Sequence, residues 1–178
     1  PKYVTDELID FMAKTRRMCR HLHIPIQSGD DDILKMMNRP YTAQQLKDTI
    51  IKVKKAIEGI GITTDILVGF PGESDKNFRN TVNLIKEILP VRVHIFPFSK
   101  REGTAASSMD KEVSPETIKN RFQNMKIAAI TASYLFRHDF KNKYVDVLVE
   151  SNREKYSGRL TGYSDNYIKI LFEGPDEL

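Results

Sequence analysis

Apolar residues recur every three or four positions in several segments of the chain, and this spacing predicts amphipathic helices. The clearest segment follows Thr42, where Gln45 stands at the capping-box position. Ser114 followed by Pro115 predicts the start of a long helix that runs to about Lys141. The helical segments are marked by Thr5, Leu8, Ile9 and Met12; by Asp30 to Met37; by Leu46, Ile50, Val53 and Ile57, ended by Gly59 and Gly61; by Phe78, Val82, Ile85 and Leu89; and by 114–141.

Three shorter segments, 21–27, 63–70 and 91–98, have the composition of β-strands. The first alternates apolar and polar residues, although Pro25 limits its hydrogen bonding. The second is an almost continuous apolar run, which is typical of a buried parallel strand. The order α-β-α-α-β-α-β-α over residues 1–141 predicts an α/β fold with helices outside a parallel sheet. Three strands are too few for a closed barrel, which typically needs about 250 residues, so we expect a partial parallel (β/α) barrel.

The pattern changes after Lys143. Three short strand-like runs follow, joined by turns rich in Asn, Gly, Ser and Asp, which predicts a small all-β unit over residues 142–178. Three strands rarely form a stable barrel alone, so this unit is expected to be truncated. The chain begins at Pro1 and ends directly after a strand-like run, and we therefore expect it to be a fragment.

Composition narrows the possible functions. The single cysteine of the 178 residues excludes a disulfide framework within the chain, and also an iron–sulfur or cysteine-rich zinc site held by this chain alone. No apolar run approaches the roughly 20 residues of a membrane span, so we expect a cytoplasmic protein without a membrane partner. The net charge of +4 permits contact with nucleic acid without demanding it.

Ligands of parallel α/β sheets bind outside the carboxyl ends of the strands. This rule selects three loops, 27–30, 69–73 and 97–104, which should lie at one edge of the sheet. Glycines in the second loop would let its backbone approach a ligand, although a tight turn alone explains them as well. In the third loop, Lys100 and Arg101 suit a phosphate or an RNA backbone, or form an ordinary solvated loop.

Several single residues allow two interpretations. Asp65 lies inside an apolar strand, so it either faces a polar cavity or caps a backbone group. His23 shares a strand face with Gln27, but a lone histidine is more often a satisfied core residue. Cys19 is more often a small core residue than a nucleophile. Tyrosines beside basic residues in the last 30 or so positions suit RNA stacking or a small core equally well.

Taken together, the loops resemble those of the radical-SAM methylthiotransferases. The resemblance is carried by HLHIPIQSGDDDILKMMNRPYT, TTDILVGFPGES and FPFSKREGTAAS, in this order, while VLVESNREKYSGRLTGYSDNYIKILFEG is similar to the start of a TRAM domain. It implies that residues 1–141 are the C-terminal portion of the radical-SAM barrel and 142–178 the N-terminal portion of TRAM. The family's CxxxCxxC loop, which holds a 4Fe-4S cluster, is absent from this chain. No metal ligand is therefore assigned here, no catalytic residue either, and the chain alone should be inactive.

The resemblance implies S-adenosylmethionine and 4Fe-4S clusters as cofactors, with the cluster ligands outside this chain. In the family, a reduced cluster cleaves S-adenosylmethionine to a 5′-deoxyadenosyl radical that removes hydrogen from a C–H bond, after which sulfur and a methyl group are added. The residues that match the S-adenosylmethionine site are Gln27, Ser28, Asp65, Ile66, Val68, Gly69, Phe70, Gly72, Glu73, Phe96, Pro97 and Ser99. Those assigned to RNA are Lys100, Arg101, Arg159, Tyr163 and Tyr167.

The loop around Lys100 and Arg101 is most similar to that of members acting on threonylcarbamoyladenosine next to the tRNA anticodon. Cations there suit a substrate that carries phosphates and a carboxylated threonyl group. This implies tRNA and an electron-donor protein as partners. The alternatives are a methylthiotransferase acting on isopentenyladenosine in tRNA or on an aspartate of a ribosomal protein, and a non-catalytic RNA-binding protein.

Overall fold

The computed structural model describes residues 3–177. Its elements follow the predicted order, with one short 3-10 turn added between the third strand and the last long helix. The elements are α1 (Asp6–Lys14), β1 (His21–His23), α2 (Asp31–Met36), α3 (Ala43–Ala56), β2 (Gly61–Val68), α4 (Asp75–Ile88), β3 (Arg92–Pro97), the turn Ala105–Ser108, α5 (Pro115–His138), β4 (Val147–Val149), β5 (Leu160–Ser164) and β6 (Lys169–Phe172). Within the described part of the chain, none of these helices has both the length and the apolar character that crossing a bilayer requires.

Side-chain caps determine where the helices begin. Thr42 and Gln45 form the predicted capping box at the start of α3, and Ser114 caps α5, whose first turn contains Pro115. The predicted end of α3 was partly wrong. Gly59 does turn the chain with φ +72°, but Gly61 is the first residue of β2 rather than a helix terminator.

The first sheet has the order β1-β2-β3, and both pairs of strands are parallel, as predicted. β1 is shorter than the predicted strand 21–27 because regular pairing stops after His23, two residues before Pro25. The chain rejoins the sheet at Gln27 through an isolated bridge to Ile66. This bridge brings the first predicted loop to the end of β2.

The two faces of β2 differ, because successive side chains of a strand point to opposite sides. Ile62, Ile66 and Val68 are fully buried in the core formed with the helices. Thr63 and Asp65 lie on the opposite face, which we call the inner face. The helix-covered face is thus mainly apolar, apart from the buried Thr64, and the opposite face carries Thr63, Asp65 and Leu67.

Residues 142–177 contain the antiparallel sheet β4-β5-β6, and we call this segment the β-unit. Its β5–β6 turn docks at the amino ends of the parallel strands, which we call the amino edge. There Arg20 pairs with Asp165 through two hydrogen bonds of 2.7 and 3.0 Å, and the Asn166 amide donates to the Gly59 carbonyl at 2.9 Å. A small apolar cluster beside this turn includes Ile168. The sequence predicted the β-unit but not its docking.

Candidate functional site

The three predicted loops lie at one edge of the parallel sheet, the carboxyl edge. The backbone N–H of Gln27 donates to the Asp65 carbonyl at 2.8 Å, and the Leu67 N–H donates to the Gln27 carbonyl at 3.0 Å. The third loop joins them where the Phe98 N–H donates to the Val68 carbonyl at 2.8 Å. These hydrogen bonds place the end of each strand next to the end of its neighbour.

The second loop is held from inside the fold by a buried ion pair. Oε2 of Glu73 accepts a hydrogen bond from the backbone N–H of Gly69 at 2.8 Å and another from Arg121 at 2.8 Å. Both charged side chains are almost fully buried. Burial raises the pKa of Glu73, and the hydrogen bonds from Gly69 and Arg121 offset only part of that rise. Glu73 therefore supports the loop, because its buried carboxylate is bound by Gly69 and Arg121.

Sequence reasoning did not identify Arg121, which lies in the middle of α5. The guanidinium also donates to the Glu73 carbonyl at 2.9 Å and to the exposed carboxylate of Asp75 at 2.7 Å. One weak signal was available, since Arg121 stands at a position of α5 that packs against the core. A buried arginine requires an acidic partner, but the sequence alone does not say which one.

The first loop separates two neighbouring residues that were both assigned to the cofactor. Ser28 is fully buried, and its hydroxyl lies 3.2 Å from that of Thr81 on α4, so its side chain supports the loop. Gln27 has a left-handed backbone (φ +68°) and is only partly buried. Within residues 3–177 the side-chain amide of Gln27 has no hydrogen-bond partner, whereas its backbone N–H and carbonyl are both bonded to β2.

Asp30 caps the amino end of α2. One of its oxygens accepts hydrogen bonds from two backbone N–H groups of α2, and the carboxylate also accepts from the side chains of Asn77 and Asn80. Burial raises the pKa of Asp30, but these hydrogen bonds together outweigh burial and lower the pKa below its usual value. The first loop is thus anchored to α4 at two points.

The remaining cofactor candidates divide by exposure. The Ile66 and Val68 side chains are fully buried among the helices, so only their backbone atoms lie near the loops. Phe96 is 50% exposed, and Pro97 is also exposed. The other candidates are Phe70, buried and with its ring 5.6 Å from that of Phe98; Gly72, partly buried with φ +82°; and Ser99, exposed.

The inner face below the loops is polar. Asp65 lies on the inner face, and its Oδ2 lies 3.3 Å from Nε2 of His23. His94 stands beside them, with its ring 6.1 Å from that of His23 in an edge contact. His23 and His94 are exposed rather than packed in the core. The inner face therefore combines hydrogen-bonding side chains with access to solvent.

Cys19 is exposed, so the expectation of a small core residue was wrong. It precedes β1 at the amino edge, away from the three loops. In the part of the chain that the structure describes, no group of three or more His, Cys, Asp and Glu side chains could hold a metal ion.

The structure does not bring the five RNA candidates together. Lys100 forms an ion pair with Glu112 at 2.8 Å, whereas the exposed Arg101 has no ion-pair partner among residues 3–177. Both belong to the third loop at the carboxyl edge. The other three candidates lie in the β-unit at the opposite edge: Arg159, 3.7 Å from Glu173, and Tyr163 and Tyr167, whose ring centroids are 5.3 Å apart.

Comparison with known proteins finds a matching family model and similar enzymes. The family model of the Radical SAM superfamily matches residues 1–85. A threonylcarbamoyladenosine tRNA methylthiotransferase of Bacillus subtilis is 34% identical over 98% of this chain and 39% of its own length. A tRNA-2-methylthio-N(6)-dimethylallyladenosine synthase of Desulfitobacterium hafniense is 36% identical over 100% of this chain and 40% of its own length. The chain thus spans about two fifths of these relatives.

Solved structures agree on the fold. Coproporphyrinogen III oxidase of Escherichia coli, described as a radical SAM enzyme, aligns with a TM-score of 0.60 and 18% identity over 75% of this chain and 31% of its own. Elp3 of Methanocaldococcus infernus aligns with a TM-score of 0.50 and 15% identity over 95% of this chain and 53% of its own. The predicted α/β fold of the radical-SAM type, with a parallel sheet, is confirmed.

Proposed function

This chain belongs to the radical-SAM methylthiotransferase family, and we propose that its protein adds a 2-methylthio group to threonylcarbamoyladenosine next to the tRNA anticodon. The observation that carries the proposal is the position of Arg101. This exposed cation lies in a loop at the same sheet edge as the candidate cofactor loops. A cation at that edge can attract the phosphates of tRNA and the carboxylate of a threonylcarbamoyl group.

The described residues fit S-adenosylmethionine. At the carboxyl edge, the half-exposed ring of Phe96 offers an apolar surface for a base. Near it, the side-chain amide of Gln27 and Oδ1 of Asp65 have no hydrogen-bond partner within residues 3–177, so they can bind polar groups of a ligand. A site that joins one apolar surface to a few polar groups is typical of small-molecule binding.

When bound, S-adenosylmethionine supplies the carbon-centred radical that removes hydrogen from the substrate and, from a second molecule, the methyl group. The chain's own residues bind and orient. Glu73 and Arg121 hold the second loop in one conformation, since the Glu73 carboxylate fixes the Gly69 N–H. The helices on the outer face of the sheet exclude water from that side.

The division of the chain follows from the same reasoning. We propose that residues 1–141 form the C-terminal portion of the radical-SAM barrel and that 142–178 begin a TRAM domain. The antiparallel pairing of β4, β5 and β6 supports this division. Iron–sulfur clusters would be held by residues outside those that the structure describes, and an electron-donor protein would reduce them.

A second candidate substrate is supported by the relatives. Several of them are named tRNA-2-methylthio-N(6)-dimethylallyladenosine synthases, at 33–38% identity. The dimethylallyl group is apolar and carries no charge for Arg101 to bind. Arg101 can therefore bind a charged group of the first substrate but not of the second, and one experiment can distinguish the two.

The test is nucleoside mass spectrometry of tRNA from cells that lack the gene. We expect the 2-methylthio group to disappear from threonylcarbamoyladenosine and to remain on the dimethylallyl nucleoside. Complementation with wild-type protein should restore it, whereas the Arg101→Glu variant should restore it poorly, because the variant replaces a cation with an anion beside an anionic substrate. Expression of each variant is checked by immunoblot.

Other outcomes would redirect the proposal. Loss of the methylthio group only from the dimethylallyl nucleoside would favour the second substrate. Persistence of both modified nucleosides in a strain without a second methylthiotransferase gene would reject tRNA modification. A ribosomal-protein substrate or a binding-only role would then be tested by mass spectrometry of ribosomal proteins from the same strain.

A further inference from the structure

A groove beside β3 carries four cations and no acid. It lies where β3, α5 and the start of β6 meet, and we call it the basic groove. Its charged side chains are Arg92 on β3, Lys126 and Arg137 on α5, and Lys169 on β6. All four are exposed, and no Asp or Glu of residues 3–177 lines the groove. The walls of the groove therefore do not neutralise its positive charge.

These four cations also lack ionic partners elsewhere in the described part of the chain. None of them forms an ion pair within residues 3–177, whereas Lys100, Arg121 and Arg153 each do. Their summed charge equals the net charge of +4 of the whole chain. Like charges that are held together without partners create a positive potential, and this potential attracts a polyanion.

Packing between three elements keeps the groove in one shape. The hydroxyl of Ser133 on α5 donates a hydrogen bond of 2.7 Å to the carbonyl of Val91, directly before β3. Val91 also packs with Phe136 of α5 and Ile168 of the β-unit in the small apolar cluster. The three elements that carry the cations are therefore fixed to one another.

The cations form a line rather than a single point. Lys126 and Arg137 lie on the same side of α5, because the eleven positions between them make about three helical turns, or roughly 16 Å along the axis. The groove has a volume of about 240 Å³, which is below the roughly 300 Å³ at which small-molecule sites begin. A polymer that carries regularly spaced phosphates fits this arrangement better than one small anion does.

The groove also connects the two groups of RNA candidates. It follows β3 as far as Ile95, and β3 ends at Pro97, from which the third loop leads to Arg101. At its other end the groove reaches Tyr167 of the β-unit, whose ring contacts that of Tyr163. An RNA backbone in the groove would pass from one group of candidates to the other. This continuity favours RNA over an acidic protein as the polyanion.

We propose that the basic groove binds the phosphate backbone of tRNA, at phosphates distinct from those near Arg101. Lys126 and Arg137 contact neighbouring parts of this backbone, and Lys169 continues the contact onto the β-unit. Such contacts position an RNA without reading its sequence. The inference rests on the proposed function, and it adds cations that sequence reasoning did not identify.

The test measures how salt affects the binding of an unmodified tRNA transcript, by fluorescence anisotropy, with the protein in its natural length. One variant combines Lys126→Gln with Arg137→Gln, and a second carries Lys169→Gln alone. Lys55→Gln is the matched control, because it removes the same charge from an exposed position of α3, outside the groove. Binding of S-adenosylhomocysteine, measured by calorimetry, shows whether each variant keeps its fold.

We expect the slope of log affinity against log salt to fall by about 2 in the double variant and by about 1 in Lys169→Gln, the value for each lost phosphate contact. Affinity for tRNA should fall about twofold to fivefold per removed cation, as for an exposed charge pair. A tRNA of another sequence should lose affinity by the same factor. Lys55→Gln should match wild type, and binding of S-adenosylhomocysteine should be unchanged in all variants.

Phosphate ethylation interference then locates the contacts on the RNA. The phosphates whose ethylation blocks binding to wild type should include a set that no longer matters to the double variant. That set should differ from the set lost with Arg101→Gln, because the groove and Arg101 hold different parts of the backbone. Identical sets for the two variants would contradict the proposal.

Two further results would overturn the inference. The first is an unchanged tRNA affinity and salt slope in the double variant, which would turn the search toward an acidic protein partner. The second is an equal loss of affinity in Lys55→Gln, which would show an effect of net charge alone. If either occurs while deletion of the gene still removes the methylthio group from tRNA, only this inference fails. If wild type does not bind tRNA at all, the proposed function fails together with it.

Discussion

Gly69 occupies a position where backbone and packing both exclude a side chain. Its φ of +80° lies in the left-handed region, and a β-carbon there would overlap the Ile118 side chain, with Cδ1 2.9 Å away. Gly103 is a natural comparison, because it has nearly the same φ of +79° but no atom within 4 Å of the β-carbon position. Comparing the two glycines therefore distinguishes the cost of backbone strain from the cost of steric overlap.

We predict that Gly69→Ala lowers the free energy of unfolding by about 2–4 kcal/mol, the sum of left-handed strain and overpacking. Gly103→Ala should cost only about 1 kcal/mol, since strain alone applies. Urea unfolding of the 178-residue chain measures both. Equal losses for the two variants would mean that Ile118 moves aside and that packing by α5 does not shape the second loop.

Sequence reasoning at this scale left the environment of Asp65 open between a polar cavity and a cap, because a carboxylate inside an apolar run fits both. In the structure Asp65 lies on the inner face, with Oδ2 3.3 Å from Nε2 of His23. The Glu73–Arg121 pair did not follow, because its partners are separated by 48 residues and meet only through the packing of α5. A pattern along the chain does not encode such a pairing.

At the level of elements, the docking of the β-unit depends on the close approach of two backbones. A β-carbon on Gly61 would overlap the carbonyl oxygen of Asn166 and lie 3.3 Å from Val91. The φ of Gly61 is not in the left-handed region, so alanine would bring no strain of its own. Local signals predicted the order of the helices and strands, but this contact between distant segments has no local signal.

We predict that Gly61→Ala loosens the β-unit while the helices remain folded, because backbone cannot shift as a flexible side chain does. Limited proteolysis should cut the variant faster between residues 139 and 146, while circular dichroism keeps its helical signal. Gly158→Ala is the control for a change within the β-unit that causes no overlap: no atom lies within 4 Å of its β-carbon position, and its φ of +67° adds backbone strain alone. Equal protection of the Gly61→Ala variant and wild type would show that the β-unit docks without this contact.

For the whole molecule, the parallel sheet separates the two groups of RNA candidates. Gly61 at one end of β2 contacts the β-unit, and the Val68 carbonyl at the other end binds the third loop. The eight residues of β2 span roughly 26 Å at about 3.3 Å per residue. A tRNA that contacts both Arg101 and the β-unit must therefore extend along the sheet, whereas a short stem–loop would contact one group only.

This separation predicts that RNA length decides which arginine matters. Arg101→Glu should weaken the binding of intact tRNA and of an isolated anticodon stem–loop to the same extent. Arg159→Glu should weaken the binding of intact tRNA only. For each affected pair, the slope of log affinity against log salt should fall by about 1, the value for one lost phosphate contact. Lys55→Glu, an equal charge change at an exposed position of α3, controls for net charge. Equal weakening of the stem–loop by Arg159→Glu would place the β-unit against the anticodon arm, because a ligand too short to span β2 would then contact both groups.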